Sequence, residues 1–182
     1  MNKNTAEKYI TNYAVSDDEI DNAEKIINEL QAEIPNYASK GHGPFLAAIY
    51  DKNGKLIVKC ANTVKNMLCS NNHAEINAIK EAQQIFKTYD LSGLDLSLYI
   101  TSEPCMMCIG AIMWSGLKSV YYGVPSKKVE EITGFDEGFK QDWLEEFKKR
   151  GIKVCGNIAA EAGEKALKKY IDEGNDIYKP AR

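Results

Sequence analysis

Apolar residues return at helical spacing from Asp17 to Glu33, where Ile20, Ile26, Ile27 and Leu30 can share one side. Ser16 followed by Glu19 has capping-box spacing. An amphipathic helix is therefore predicted over Asp17–Glu33, ended by Pro35, with its apolar face on a sheet and its acidic face wet. Upstream, Tyr9, Ile10 and Tyr13 can share a face, so a shorter helix is expected within residues 1–15. After the irregular Gly41-His42-Gly43-Pro44, the run Phe45–Tyr50 reads as a core strand. Lys55–Cys60 reads as its neighbour across a turn containing Asn53-Gly54, a pair that accommodates hairpin dihedrals.

A second helical period spans Ala74–Tyr89, with Ile76, Ile79, Ala82, Gln83 and Phe86 along one side. Leu94–Thr101 reads as a strand, Cys105–Trp114 as a short buried helix broken at Gly116, and Ser119–Val124 as another strand. Two later helices, Asp136–Lys149 and Glu161–Ile171, flank the strand-like Ile152–Cys155. Helices alternating with strands favour an α/β sandwich whose sheet is covered on both faces. With 182 residues and no Gly/Ser/Pro-rich linker, the chain fits a single domain, residues 17–182, behind an N-terminal extension of residues 1–16.

Composition narrows the setting. Apolar runs are too short for a membrane span, and Met1–Ile10 lacks a secretory pattern, so no membrane association is expected. Five cysteines, an odd number that includes a close C-x-x-C pair, favour a reducing, cytoplasmic location over a disulfide-stapled fold. Residues 1–44 carry eight acidic and four basic side chains, a local charge of 4 − 8 = −4. Lys127–Lys128 and Lys148-Lys149-Arg150 read as solvated helix faces, not as a basic footprint. A nucleic-acid partner is accordingly disfavoured.

The chemistry gathers in two segments, His73-Ala74-Glu75 and Glu103-Pro104-Cys105-Met106-Met107-Cys108. Cys105 and Cys108 are one helical turn apart, and a helix start favours thiolates. His73 can add a nitrogen, giving three donors for Zn2+ with room for one water. Glu75 suits proton transfer better than ligation. Residues two apart project to nearly opposite helix sides, so His73 and Glu75 converge only if His73 lies at the open first turn. Taken singly, each feature has a plainer role. The C-x-x-C can be a redox pair or half a structural zinc site, and Glu75 can complete a capping box begun by Asn72. Together they fit hydrolytic deamination, the reaction that goes with an H-x-E…P-C-x-x-C signature. There, zinc acidifies a water while a glutamate moves its proton to the ring and then to the departing amine.

The runs His73–Ile79 and Thr101–Ile112 resemble the cytidine deaminase-like zinc superfamily, in the branch of bacterial guanine deaminases and tRNA adenosine deaminases. The resemblance covers about residues 17–140. It implies a three-layer α/β/α sandwich with a central mixed five-stranded sheet. It also implies zinc held by His73, Cys105 and Cys108, Glu75 as proton shuttle, and a homodimer or higher homo-oligomer. Gly43-Pro44-Phe45-Leu46-Ala47 is similar to the entry strand of guanine deaminases, which implies that Phe45 contacts the base and Asn62 hydrogen-bonds it. Core packing and turn capping are the alternatives for these two. Thr133–Phe139 resembles that family's acidic base-reading segment, making Asp136 and Glu137 candidates, with capping of a helix Glu137–Lys149 as the alternative for Asp136. Tyr178 is similar to a C-terminal aromatic that closes a pocket, in a partner if the tail is exchanged. Leu46 stands where a glycine is usual and Met106 where proline is common, and both could reshape the pocket. The implied reaction is guanine to xanthine and ammonia. Cytosine deaminase, tRNA adenosine deaminase and a non-catalytic zinc-stabilised interaction protein are the other readings.

Overall fold

The computed structural model describes residues 8–179. Its sheet contains β1 (Ile10–Thr11), β2 (Leu46–Tyr50), β3 (Leu56–Ala61), β4 (Ser97–Ser102), β5 (Ser119–Val124) and β6 (Lys153–Gly156). They lie in the order β1-β6-β5-β4-β2-β3. β4, β5 and β6 are mutually parallel, while β2 runs antiparallel to both β3 and β4. The helices are α1 (Asp17–Ala38), α2 (Val64–Met67), α3 (Ala74–Phe86), α4 (Met106–Ser115), α5 (Ser126–Thr133), α6 (Trp143–Lys149) and α7 (Ala160–Asp172).

Strand alternation sorts side chains to two cores. Ala47, Ile49, Leu98, Ile100, Val120 and Tyr122 face a cluster completed by α3, α4 and α6. Leu46, Ala48, Tyr99 and Tyr121 face the other, completed by α1 and α7. The result is the expected three-layer α/β/α sandwich, with six strands instead of five. None of the helices among the described residues is long and apolar enough to cross a membrane.

The sixth strand, β1, replaces part of the short helix expected within residues 1–15; residues 1–7 of that expectation lie outside the described residues. β6 would otherwise expose an unpaired edge, and Ile10 and Thr11 pair with its Gly156 and Cys155. Asn12 extends the edge with its side chain. Its amide donates to Leu144 O and Ile152 O and its Oδ1 accepts the Val154 N–H at 2.7 Å. A helix of under three turns has little intrinsic stability to set against that pairing.

Other boundaries moved for local reasons. Pro35 does not end α1 but lies in its last turn, where it removes a single backbone donor while Ser39 N–H still reaches Pro35 O at 3.0 Å. α3 stops three residues earlier than predicted because Lys87 turns left-handed, its N–H meeting the carbonyls of Gln83 and Gln84. The predicted helix Asp136–Lys149 begins only at Trp143. Residues 134–142 form a loop whose Gly134, Gly138 and Asp142 all have positive φ. α5 was not anticipated.

β3 and β4 flank β2 and point the same way, so both deliver the chain to one edge of the sheet. α3 and α4 begin there, side by side on one face. This places two helix N-termini together.

On the opposite face, Ser16 and Glu19 form the capping box read from the sequence. Glu19 Oε1 also accepts from Lys153 Nζ at 2.6 Å and from Tyr121 OH at 3.2 Å, tying α1 to the sheet. Partial burial pushes the Glu19 carboxyl up, but Lys153 and the Ser16 N–H and hydroxyl outweigh it and hold it at about 2. The folded value lies below the ordinary 4.5, so this contribution is full above pH ~4.5 and vanishes as pH falls toward 2. Glu19→Gln is expected to lower stability by about 1 kcal/mol at pH 7, allowing for solvent screening of a partly exposed group. Urea titrations of both proteins should converge across that acid window; a gap unchanged down to pH 2 would refute the assignment.

Candidate active site

His73 is the N-cap of α3 and Cys105 the N-cap of α4, both in extended conformation and neither making a side-chain capping bond. Their side chains are thus free to turn toward the gap between the two helix starts. Cys108 follows in the first turn of α4. His73 Nδ1 lies 3.5 Å from Cys105 Sγ and 3.7 Å from Cys108 Sγ. The three donor atoms lie within 4.8 Å of one another. Zinc bonds of about 2.0 Å to nitrogen and 2.3 Å to sulfur, at tetrahedral angles, put such donors about 3.6 Å apart. The chemistry and spacing of the set therefore fit a tetrahedral metal ion with one position left over.

Electrostatics agree. The Cys105 thiol is pulled well below its ordinary range, first by the Cys108 side chain and then by His73 against the cost of burial. Cys108 is pushed up, first by Cys105 and then by burial. The pair therefore yields one proton readily, and a bound cation would replace the other.

With His73 as the cap, Glu75 is the second helical residue, not the capping-box position that an Asn72 cap would have required. It is buried, at 5% exposure. Burial, with Cys105 next, raises its pKa. The open first turn is what lets His73 and Glu75 converge. Asn77 secures that turn: its amide donates to Ala61 O, Thr63 Oγ1 and Asn72 O, at 3.0, 3.0 and 3.2 Å.

A cleft of about 430 Å³ opens over the donors, lined by His73, Cys105, Met107, Phe135, Asp136, Glu137 and Tyr178 among others. The Phe135 ring stands 6.0 Å from the His73 ring and 6.4 Å from that of Tyr178. Phe45 and Asn62 line a small recess next to it, together with His73, Phe135 and Tyr178. Every residue proposed from the sequence thus borders the same centre. Asn62 also has its plainer role, since its Oδ1 accepts the Val64 N–H at 3.2 Å. Phe45 likewise packs against the core while touching the recess.

The two acids of the 134–142 loop part company. Asp136 is exposed and its Oδ1 accepts the Gly138 N–H at 2.9 Å, so it shapes a turn and does not cap a helix. Glu137 is buried at 4% exposure and shares a small recess with His73, Glu75 and Cys105. Burial pushes its carboxyl up to about 8 although Lys140 pulls it down. Lys140 and Ser70 went unremarked in the sequence, and Met107 was quoted in its motif without a role. Phe135 sat in the quoted motif without a role, and its neighbourhood to Gly134 was the only signal.

Both departures from the resemblance resolve structurally. Leu46 is fully buried on the α1/α7 side of the sheet, so it leaves the cleft's shape alone. Met106 donates its backbone N–H to Glu137 O at 3.2 Å, a bond that a proline cannot make.

Residues 21–153 match the family described as MafB19-like deaminase. The chain belongs to this cytidine deaminase-like family. Among curated relatives, guanine deaminase of Bacillus subtilis is 39% identical over 97 residues, 53% of this chain and 60% of that protein. The tRNA-specific adenosine deaminase of Rickettsia bellii is 42% identical over 99 residues, 54% of this chain and 66% of that protein. The matches thus span less than two thirds of those curated relatives. Among solved structures, guanine deaminase from Nitrosomonas europaea superposes with a TM-score of 0.77 at 31% identity, covering 88% of this chain and 87% of that one. A guanine deaminase in complex with 2,6-diaminopurine gives a TM-score of 0.80 at 34% identity, covering 86% and 85%. For this deaminase-family chain, Cys108→Ser is expected to lose the metal ion that the donor set fits. Elemental analysis should find about one zinc per chain in the unaltered protein and much less in the variant. Equal content in both would remove Cys108 from the set.

Proposed function

We propose that the protein is a zinc-dependent hydrolytic deaminase of a free purine base, converting guanine and water to xanthine and ammonia. The observation that carries this reading is one juxtaposition. A buried carboxylate, Glu75, lies beside three donors at tetrahedral zinc spacing, beneath a cleft of about 430 Å³ with a second buried carboxylate, Glu137, at its wall. His73, Cys105 and Cys108 would hold the ion, which when bound acidifies water and so supplies the nucleophile.

The chain's own residues account for the rest. Phe135 and Phe45 offer faces to a flat ring, and Asn62 keeps its amide N–H groups for a ring acceptor, its Oδ1 being engaged. Glu137 accepts from a ring N–H. Glu75 takes the proton from the attacking water and passes it to the ring nitrogen next to the carbon under attack. It then moves the remaining proton, that of the newly added hydroxyl, to the exocyclic amine, which departs as ammonia and leaves a carbonyl. Its burial favours the work, because a carboxyl pushed up from its ordinary range both accepts and returns a proton. Tyr178 and the narrow recess shield the reacting carbon from bulk water.

The relatives support a purine, since the solved neighbours that superpose with TM-scores of 0.77 and 0.80 are of guanine deaminase. The tRNA-specific adenosine deaminases favour a second reading, adenosine within RNA, but the acidic residues 17–33 give no footing for a phosphate backbone. Zinc-loaded protein incubated with guanine is expected to yield xanthine on product separation. Cytosine and adenine run in parallel should give little product. Glu75→Gln is expected to lower turnover by about a thousandfold while zinc content and fold persist. Uracil from cytosine with no xanthine from guanine would overturn the purine reading. Undiminished turnover in the glutamine variant would remove Glu75 from proton transfer.

A further inference from the structure

The 134–142 loop is not held by a helix, yet it carries the acid that faces the base. A largely buried cation helps to hold it. Lys140 is 11% exposed, and its ammonium lies 3.1 Å from Glu103 Oε1, 3.2 Å from Pro104 O and 3.7 Å from Glu137 Oε2, and also donates to Ser126 Oγ. Glu103 in turn accepts the Ser126 N–H at 3.0 Å and donates its own N–H to Val124 O at 2.8 Å. One ammonium therefore bridges the loop to the residues that lead into Cys105.

Glu137 is fixed from the other side too. Its N–H reaches Glu130 Oε1 at 3.1 Å, and its carbonyl accepts the Met106 N–H. Its Oε2 is sealed from solvent and has no hydrogen-bond partner, so the ion pair with Lys140 is what that oxygen rests on. Two carboxylates, Glu103 and Glu137, share this buried space. Without a cation between them they would repel, and an unpaired buried charge is costly.

We propose that Lys140 is a positioning residue for substrate recognition: its buried ammonium holds the Glu137 carboxylate in register with the Cys105 turn, so that the edge of a purine base is read at a fixed distance from the reacting centre. The inference rests on the purine-deaminase reading above. Lys140 acts through Glu137 and touches neither substrate nor metal donors. Burial, with Cys105, Glu75 and Glu103, pushes the Glu137 carboxyl up, and Lys140 is the neighbour that draws it down.

The test is steady-state kinetics on zinc-loaded holoprotein with guanine. Lys140→Met is expected to raise KM about tenfold, equivalent to ~1.4 kcal/mol of lost binding, with kcat changed less than about threefold and zinc content unaltered. Lys140→Arg, which keeps the charge, should restore most of the loss. Lys140→Gln keeps a donor for Pro104 and guards against a folding defect; it carries the same expectation as the methionine variant. Because the lysine works through Glu137, adding Lys140→Met to Glu137→Gln should change KM little further. An unchanged KM in Lys140→Met and Lys140→Gln, additive effects in the double variant, or a fall in kcat that tracks zinc loss alone would overturn the inference. A wild-type chain that turns over no purine would sink the functional reading and this inference with it. Wild-type turnover beside an unaffected Lys140→Met would sink this inference alone.

Discussion

The structure depends on two helices starting at one place. A helix start leaves backbone N–H groups without partners and sets up a positive field, conditions that stabilise a thiolate. Here the start also has a geometric use. His73 and Cys105 each occupy the cap position and have extended backbones, so their side chains leave the helix and turn toward the gap. A histidine or cysteine in mid-helix would be committed to one face. The sheet supplies the coincidence: β3 and β4 run in the same direction on either side of β2, so α3 and α4 emerge at the same edge.

That constraint explains why the metal donors were readable from local spacing, while the wall residues Phe45, Asn62, Glu137 and Tyr178 were reached only through the family resemblance. His73-Ala74-Glu75 and Cys105-Met106-Met107-Cys108 are local in sequence, and their geometry follows once the helix starts are known. Ser119–Val124 was equally legible, since its alternate residues face two apolar cores with no competing signal. Residues 136–149 misled for a physical reason. The mixed charges and the aromatics Trp143 and Phe147 have helical spacing, but Gly138 and Asp142 take left-handed φ and confine the helix to its last seven residues. Adding a Cβ at Gly138 would place it 2.7 Å from Met106 Sδ, so the loop is closely packed as well as bent. Pairing with β6 made Ile10–Thr11 a strand, and a partner that distant in sequence leaves no local pattern.

The loop's irregularity has a function in this scheme. A regular helix from Asp136 would have turned Asp136 into a cap and spread the acids around its axis. In the loop, Asp136 serves its own turn and Glu137 is driven inward. Inward placement of a carboxylate carries a desolvation cost, visible in the upward displacement of its pKa. A structure tolerates that cost where a ligand or a neighbouring cation answers the charge.

Met106 shows how a small departure can be absorbed by that arrangement. Its N–H bonds to the Glu137 carbonyl, coupling the backbone beside the metal donors to the backbone of the base-reading acid. With proline there, only side chains would join the two segments. The methionine side chain itself lies half in solvent, over Gly138, so the added bulk rests on a position that has no side chain to displace. Recognition and reaction are thereby tied through the main chain as well as through the Lys140 ammonium. On this account the distance between the acceptor and the metal donors is set by the fold, and the substrate's size must match it.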